Sequence, residues 1–397
     1  MNLTKTVLPI TAVYIFRMLG LFMLIPVFTL YAYQLQDATS AKIGFALGAY
    51  GLSQSILQIP FGLLSDRFGR KKLLYIGLVM LFLGSLLGAH TASIYGMIIA
   101  RSLQGAGAIG SVLLALLADL TTEKARTKAM AIIGIGIGLS FGLAILISPP
   151  LTQYAGSLSI IFELTAALSL LGLLLVYKVI PNPQHTTFHP ETEAQSSLML
   201  LALSDIQLWR FNLSIFFQHS IFTATFFVLP LLLKEYMMKE YLTASYQFYV
   251  PVMLCAFFSM LPLIRWSEKT QRTKMIFLTC VLCISACQLL FLYAHSVWML
   301  FCFTAIVYLV AFNFLEANIP SLISKYVNPK MRGTALGIYS SAQFLGIFAG
   351  GLAAGTLFNQ YHSAGIFYFN GISALLWFFV SRKIPFPTKA PAHHQPT

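Results

Sequence analysis

Gly62-Leu-Leu-Ser-Asp-Arg-Phe-Gly-Arg-Lys-Lys72 stands between two long apolar runs. It gathers one acid, four bases and two glycines in a chain that is only 9% charged. A passive connector between spanning helices needs a polar turn, not this density of charge. Outward from it, the flanking runs belong to a set of twelve, near 8–31, 41–62, 73–91, 94–118, 129–149, 158–180, 209–233, 245–265, 275–295, 297–323, 333–358 and 364–381. A helix crosses a bilayer in about 20 residues.

The 397-residue chain is 58% hydrophobic. Soluble domains carry about a quarter charged residues, so composition alone makes this an integral membrane protein. The runs are continuous and lack the period-two polarity of membrane barrel strands. The first begins only seven residues in, without a small-residue cleavage site before a soluble domain, and reads as a retained helix.

The formal net charge of +13 would suit nucleic acid, but the bases are sorted by side. With a cytoplasmic N-terminus, the loops on that side carry Arg67, Arg70, Lys71, Lys72, Lys124, Arg126 and Lys128, and in the second half Arg265, Lys269, Arg272, Lys274, Lys325, Lys330 and Arg332. The opposite side has only Lys42, Lys234 and Lys239. The positive-inside rule then places both termini in the cytoplasm. Basicity here encodes topology and contact with anionic lipid, not a nucleic-acid footprint. Of the five cysteines, Cys280, Cys283 and Cys287 share a helical face. They fit small apolar filler better than a soft-metal site, and no disulfide framework is implied.

The longest polar stretch, 181–205, separates six runs from six. The expected organisation is therefore an N-terminal bundle over 1–180, a linker over 181–205, a C-terminal bundle over 206–383 and a disordered tail over 384–397. The halves echo each other. Pro60 to Lys72 contains Ser-Asp-Arg-x-x-Arg-Lys-Lys, and Pro262 to Lys274 contains Ser-Glu-Lys-x-x-Arg-Thr-Lys at the same spacing. A weaker echo pairs Arg126-Thr-Lys-Ala-Met with Arg332-Gly-Thr-Ala-Leu. Parallel six-helix halves place a substrate site at their interface near the bilayer midplane, and rocking the halves gives alternating access.

With these motifs the chain resembles the major facilitator superfamily, and within it the twelve-helix drug:proton antiporters. Residues 62–72 match the signature loop between helices two and three. Arg101-Ser-Leu-Gln-Gly-Ala-Gly is similar to the group's helix-four signature. Arg17-Met-Leu-Gly-Leu-Phe-Met, Gln58-Ile-Pro-Phe-Gly and Pro320-Ser-Leu-Ile-Ser-Lys look like the YajR-type bacterial branch, here without the soluble domain that follows helix twelve in that branch. Ser148-Pro149-Pro150 stands where the antiporter signature has a Gly-Pro pair. The fold implied is all-α, two pseudo-symmetric six-helix bundles.

Gly62 would permit close helix approach and Gly69 a tight reversal. Asp66 would pair with Arg70 at a helix end. The resemblance implies that Asp66 faces the eleventh helix and that Asp119 joins Asp66, Arg67 and Arg70 in a cytoplasmic latch between the halves. The alternative is a topology signal made of solvated bases.

Arg17, Arg101, His219 and Glu316 lie within spans one, four, seven and ten. Intramembrane charge is costly and marks pathways. In the superfamily those four helices line the central cavity. Arg17 lies about nine residues, roughly 14 Å, into its helix, too deep to snorkel easily. Glu316 is the expected proton carrier, with His219 assisting and Asn313 one turn away to orient it. Gln54, Gln58, Tyr339 and Gln343 offer hydrogen bonds to a substrate. No phosphate-cradling loop, catalytic triad or zinc helix occurs.

The expectation is a monomeric, non-enzymatic, proton-coupled exporter of small amphipathic compounds in a bacterial inner membrane. It would need no cofactor beyond the proton gradient, with protonation competing against substrate. One alternative moves an anionic metabolite or siderophore on Arg17 and Arg101; another is a non-transporting sensor or scaffold.

Overall fold

The computed structural model describes residues 3–182, 196–294 and 296–386. Over them the chain forms α1 (Leu3–Leu24), α2 (Phe28–Ala32), α3 (Ser40–Phe68), α4 (Arg70–His90), α5 (Ile94–Ala106), α6 (Gly110–Asp119), α7 (Glu123–Ala155), α8 (Ser159–Lys178), α9 (Ser196–Ser204), α10 (Ile206–Met238), α11 (Tyr246–Thr270), α12 (Thr273–Ala294), α13 (Trp298–Tyr326) and α14 (Arg332–Ser381). Ten helical stretches among the described residues are long and apolar enough to cross a membrane. One of them, Pro329–Ser381, is 53 residues long, about 80 Å as a helix and so enough to cross twice. It bends at His362, where φ is +54°. The 29-residue α3 is also long enough to cross but carries Gln54, Gln58, Ser65 and Asp66, which lower its hydropathy. Buried Gln54, Gln58 and Ser65 turn that polarity inward. Twelve crossings result.

Several boundaries differ from the sequence expectation. The first crossing is interrupted at 25–27, where Pro26 removes a backbone donor and α1 gives way to α2. The fourth is split into α5 and α6 at 107–109. There Gly107 lies so close to the Gly77 carbonyl oxygen that a side chain has no room. Crossings eleven and twelve are two helices that meet directly at His362, where the backbone leaves helical geometry at φ +54°, ψ −151°, with no longer loop between them. The linker expected over 181–205 is outside the described residues at 183–195, and the tail is outside them beyond 386. Of the linker, α9 is described, and the side chain of Asp205 then caps α10 by accepting from the amides of Gln207 and Leu208.

The charged stretch 62–72 is almost wholly helical. Gly69 alone leaves helical geometry, at φ +97°, ψ +140°, and reverses the chain between α3 and α4. That region is essentially open only to glycine. The echo in the second half reverses at Gln271, also at positive φ, +54°. Both corners therefore turn on a positive φ, Gly69 outside the left-handed helical region and Gln271 inside it at ψ +23°, and only the first is filled by glycine. Gly69→Ala is expected to destabilise by about 1–3 kcal/mol, although nothing lies within 4 Å of the added methyl. Gln271→Gly should instead stabilise by about 1 kcal/mol by relieving the left-handed strain. Equilibrium unfolding in mixed micelles reads both, and equal shifts of one sign would refute this contrast between the corners.

The N-terminal helices pack α1 on α7 and α8, α3 on α5, and α4 on α5 and α8; the C-terminal ones pack α10 and α12 on α14, and α11 and α12 on α13. Between the sets, α3 meets α14, α7 meets α11 and α2 meets α10. In a duplicated chain, α3–α14 and α11–α7 are exchanged by the pseudo-two-fold. The α3–α14 seam is made of small residues at the end away from the 62–72 corner. A methyl on Gly44 would lie 2.7 Å from the Gly355 Cα, and one on Gly48 2.8 Å from the Phe348 carbonyl oxygen. A separate aromatic row links α1, α7 and α10 across the halves, through Phe22–Phe141 at 5.1 Å and Phe141–Phe222 at 6.3 Å.

Candidate functional site

Two polar clusters meet at this interface, one from each half. On the N-terminal side, Arg17 of α1 and Arg101 of α5 are each only 3% exposed. Arg17 donates from Nη2 to the Tyr50 hydroxyl at 3.0 Å. Arg101 lies over the Tyr50 ring, 4.9 Å from its centroid, and donates to Gln104 Oε1 at 2.8 Å. Gln104 is oriented by its own donation to Ser85 of α4 at 2.8 Å. Neither arginine has a carboxylate in ion-pair range among the described residues. Tyr50 and Gln104 are thus the organising residues, and neither was expected. Gln104 is legible in retrospect, three residues after Arg101 and so on the same helical face. Tyr50 sits in a run of small residues with no polar pattern to mark it.

On the C-terminal side, Glu316 of α13 accepts from Gln218 of α10 at 3.0 Å and from Gln343 of α14 at 3.2 Å. His219 Nε2 is 3.8 Å from the carboxylate and 2.8 Å from Gln343 Nε2. The Gln343 amide thereby reaches both titratable groups, and donating to His219 requires an unprotonated ring nitrogen there. The Glu316 side chain is 38% exposed, so a group held by three helices still faces open space. Asn313 is not among the hydrogen-bond partners of Glu316; Gln218 and Gln343 hold it instead, because the tie runs between helices. Tyr339, one turn before Gln343, is buried with a hydroxyl lacking a hydrogen-bond partner. Gln54 and Gln58 are buried and bonded to each other, and Ser111 of α6 donates to the Gln58 carbonyl at 3.2 Å.

The clusters are joined by consecutive residues of α14. Gln343 bonds Glu316, and Phe344 packs its ring 6.2 Å from that of Tyr50.

At the 62–72 corner, Arg70 is the hub. It is bonded to Asp66, to Ser65 Oγ at 2.7 Å and to Asp119 Oδ2 at 2.9 Å. These bonds tie α3, α4 and α6 together, within the N-terminal set, where a tie to the eleventh crossing was expected. Arg67 lies 5.7 Å from the Phe68 ring centroid and makes no ion pair among the described residues. A methyl on Gly62 would touch only Ser111, at an ordinary 3.5 Å, so close helix approach does not demand glycine there. No cluster of three or more metal-ligating side chains occurs among the described residues, and Cys280, Cys283 and Cys287 are free thiols.

The Major Facilitator Superfamily family model matches residues 10–301 and again 252–397. The chain is 37% identical over 375 residues to the inner membrane transport protein YajR of Escherichia coli, covering 94% of this chain and 82% of that protein. It is 26% identical over 235 residues to a class H tetracycline resistance protein of Pasteurella multocida, covering 58% and 56% of the two chains. Its fold matches a crystal structure of the nucleoside transporter NupG with a TM-score of 0.75 over 95% of this chain and 99% of that one, at 14% identity. With twelve crossings, a duplicated charged corner and a polar interface between two bundles, the chain belongs to the major facilitator superfamily and is a multi-pass inner-membrane transporter of its YajR-like branch.

Proposed function

We propose that this transporter exports small amphipathic compounds in exchange for protons, by rocking two six-helix bundles about the interface that holds the two polar clusters. The observation that carries the reading is Glu316. It is a carboxylate inside a spanning helix, tied to two other helices by amide donors and still partly exposed. Protonation removes the charge that those amides solvate, loosening α13 from α10 and α14. A group so placed couples its proton occupancy to helix arrangement. His219 shares the Gln343 amide with Glu316 and so takes part in the same exchange. Similarity to a tetracycline resistance protein supports the direction of transport. The monomer, with both termini in the cytoplasm, suffices as the unit. The Arg70 cluster would fix the geometry of the α3–α4 corner within the N-terminal bundle, so that the bundle moves as one body.

In proteoliposomes, Glu316→Gln is expected to leave folding intact and to abolish the response of transport to an imposed pH gradient. Undiminished proton-driven flux in that variant would remove Glu316 from the mechanism.

A further inference from the structure

We infer that the transported compound is an organic anion, its carboxylate held by Arg17 and Arg101 beside Tyr50 and its apolar body lying along the aromatic row. This deepens the transport reading above and rests on it. The protein shows how it treats a buried arginine that serves structure alone. Arg70, its side chain 1% exposed, is bonded to two carboxylates and a serine. Arg17 and Arg101 are as deeply buried but receive only neutral partners, a tyrosine hydroxyl and a glutamine. The Arg101 Nε is buried and donates to nothing.

The rest of the chain does not supply the missing charge. Of its twelve acids, only Glu316 falls well inside a spanning helix, while Glu163 lies in the first turns of α8. Glu163 is on the exposed side of α8. Glu316 is engaged on the opposite half by Gln218, Gln343 and His219. Two guanidinium groups against one carboxylate leave a positive balance whether or not Glu316 carries a proton.

Buried charge inside a membrane is expensive unless paired. A cargo that brings the counter-charge therefore binds where a cation would be repelled. Planar guanidinium favours a carboxylate through two parallel hydrogen bonds. Tyr50 already orients Arg17 through its hydroxyl and Arg101 through its ring, so both donors are positioned before cargo arrives. Phe344 adds an apolar face beside Tyr50, and Phe22, Phe141 and Phe222 form an aromatic row that passes from one half to the other. Exchange of such an anion for protons is then set by conformation, not by direct contest for Glu316.

The test measures binding of three probes with one apolar body to purified protein in detergent at neutral pH, by calorimetry. The probes are para-butylbenzoate, para-butylbenzamide and para-butylbenzylamine. Wild type is expected to bind the benzoate at least about tenfold tighter than either other probe, the scale of a charge-assisted bidentate contact. Arg17→Gln and Arg101→Gln should each reduce that preference to about threefold or less. If either glutamine variant melts below the assay temperature, Arg17→Lys and Arg101→Lys replace them. These keep the charge without the fork, and should retain the preference with affinity lowered about tenfold. Equal or tighter binding of the amide or the amine to wild type overturns the proposal, as does full benzoate preference in both glutamine variants. No proton gradient is present, so failure here leaves the role of Glu316 standing, and failure of proton coupling in vesicles leaves this binding result standing.

Discussion

Gly44→Ala is expected to force the two bundles apart at the end of the molecule away from the 62–72 corner and to cut transport at least about tenfold. The added methyl would intrude on the Gly351 carbonyl oxygen and lie 2.7 Å from the Gly355 Cα. Those atoms are backbone, so no side-chain rotation can make room. Overpacking of this kind costs about 1–3 kcal/mol, and here only one conformational state bears the cost. The equilibrium should shift by about 5–150-fold toward the state open at that end. Gly350→Ala makes a similar clash, with the Ser220 backbone, but inside the C-terminal bundle. It should lower stability without redistributing states. Gly138→Ala, with nothing within 4 Å, should do neither. Distances between spin labels beside Ser40 of α3 and beside the His362 bend of α14 read the populations, and melting in detergent reads the stability. A wild-type distance distribution in Gly44→Ala would show that this seam does not govern closure.

Arg70→Gln is expected to reduce stability by about 3–5 kcal/mol. Its guanidinium is 1% exposed and faces an Asp119 carboxylate that is fully enclosed, with Asp66 alongside. Removing the cation leaves two acids around a neutral amide. Arg67→Gln, three residues away on the exposed face, should change stability by less than about 0.5 kcal/mol. The contrast separates the two accounts of the corner, because a topology signal made of solvated bases treats Arg67 and Arg70 alike. A loss under about 1 kcal/mol for Arg70→Gln would favour that simpler account. Unfolding in mixed micelles decides between them.

Much of this arrangement is legible in the amino-acid order. A chain so sparing with charge makes each intramembrane ionisable residue conspicuous, and Arg17, Arg101, His219 and Glu316 all lie at the interface between the bundles. Their partners were not legible in the same way. Helical spacing names neighbours on one helix, so it pointed from Glu316 to Asn313. The bonds that hold Glu316 come from residues 98 positions before and 27 positions after it. Tyr50, which gathers both arginines, has only its aromatic ring and one hydroxyl to distinguish it from the small residues around it. The corner misled in another way. Its charge suggested a loop, yet a single positive φ at Gly69 lets both helices run through the stretch, and this aligns Ser65, Asp66 and Arg70 on facing turns. The split of the fourth crossing depends on Gly107 meeting Gly77, a contact between residues 30 apart that no local pattern announces.

Residues 343 and 344 are neighbours in the chain, yet one is bonded to the acid of the C-terminal bundle and the other packs against the tyrosine that orients the arginines of the N-terminal bundle. Successive side chains on a helix point about 100° apart, so a small axial turn of α14 moves both contacts at once. If Glu316 carries the proton and the arginines the cargo, as proposed above, the two loads are geared through one peptide unit, and a roll of this helix that loosens one grip re-aims the other. Stoichiometry in such a device is a matter of mechanics as much as of affinity.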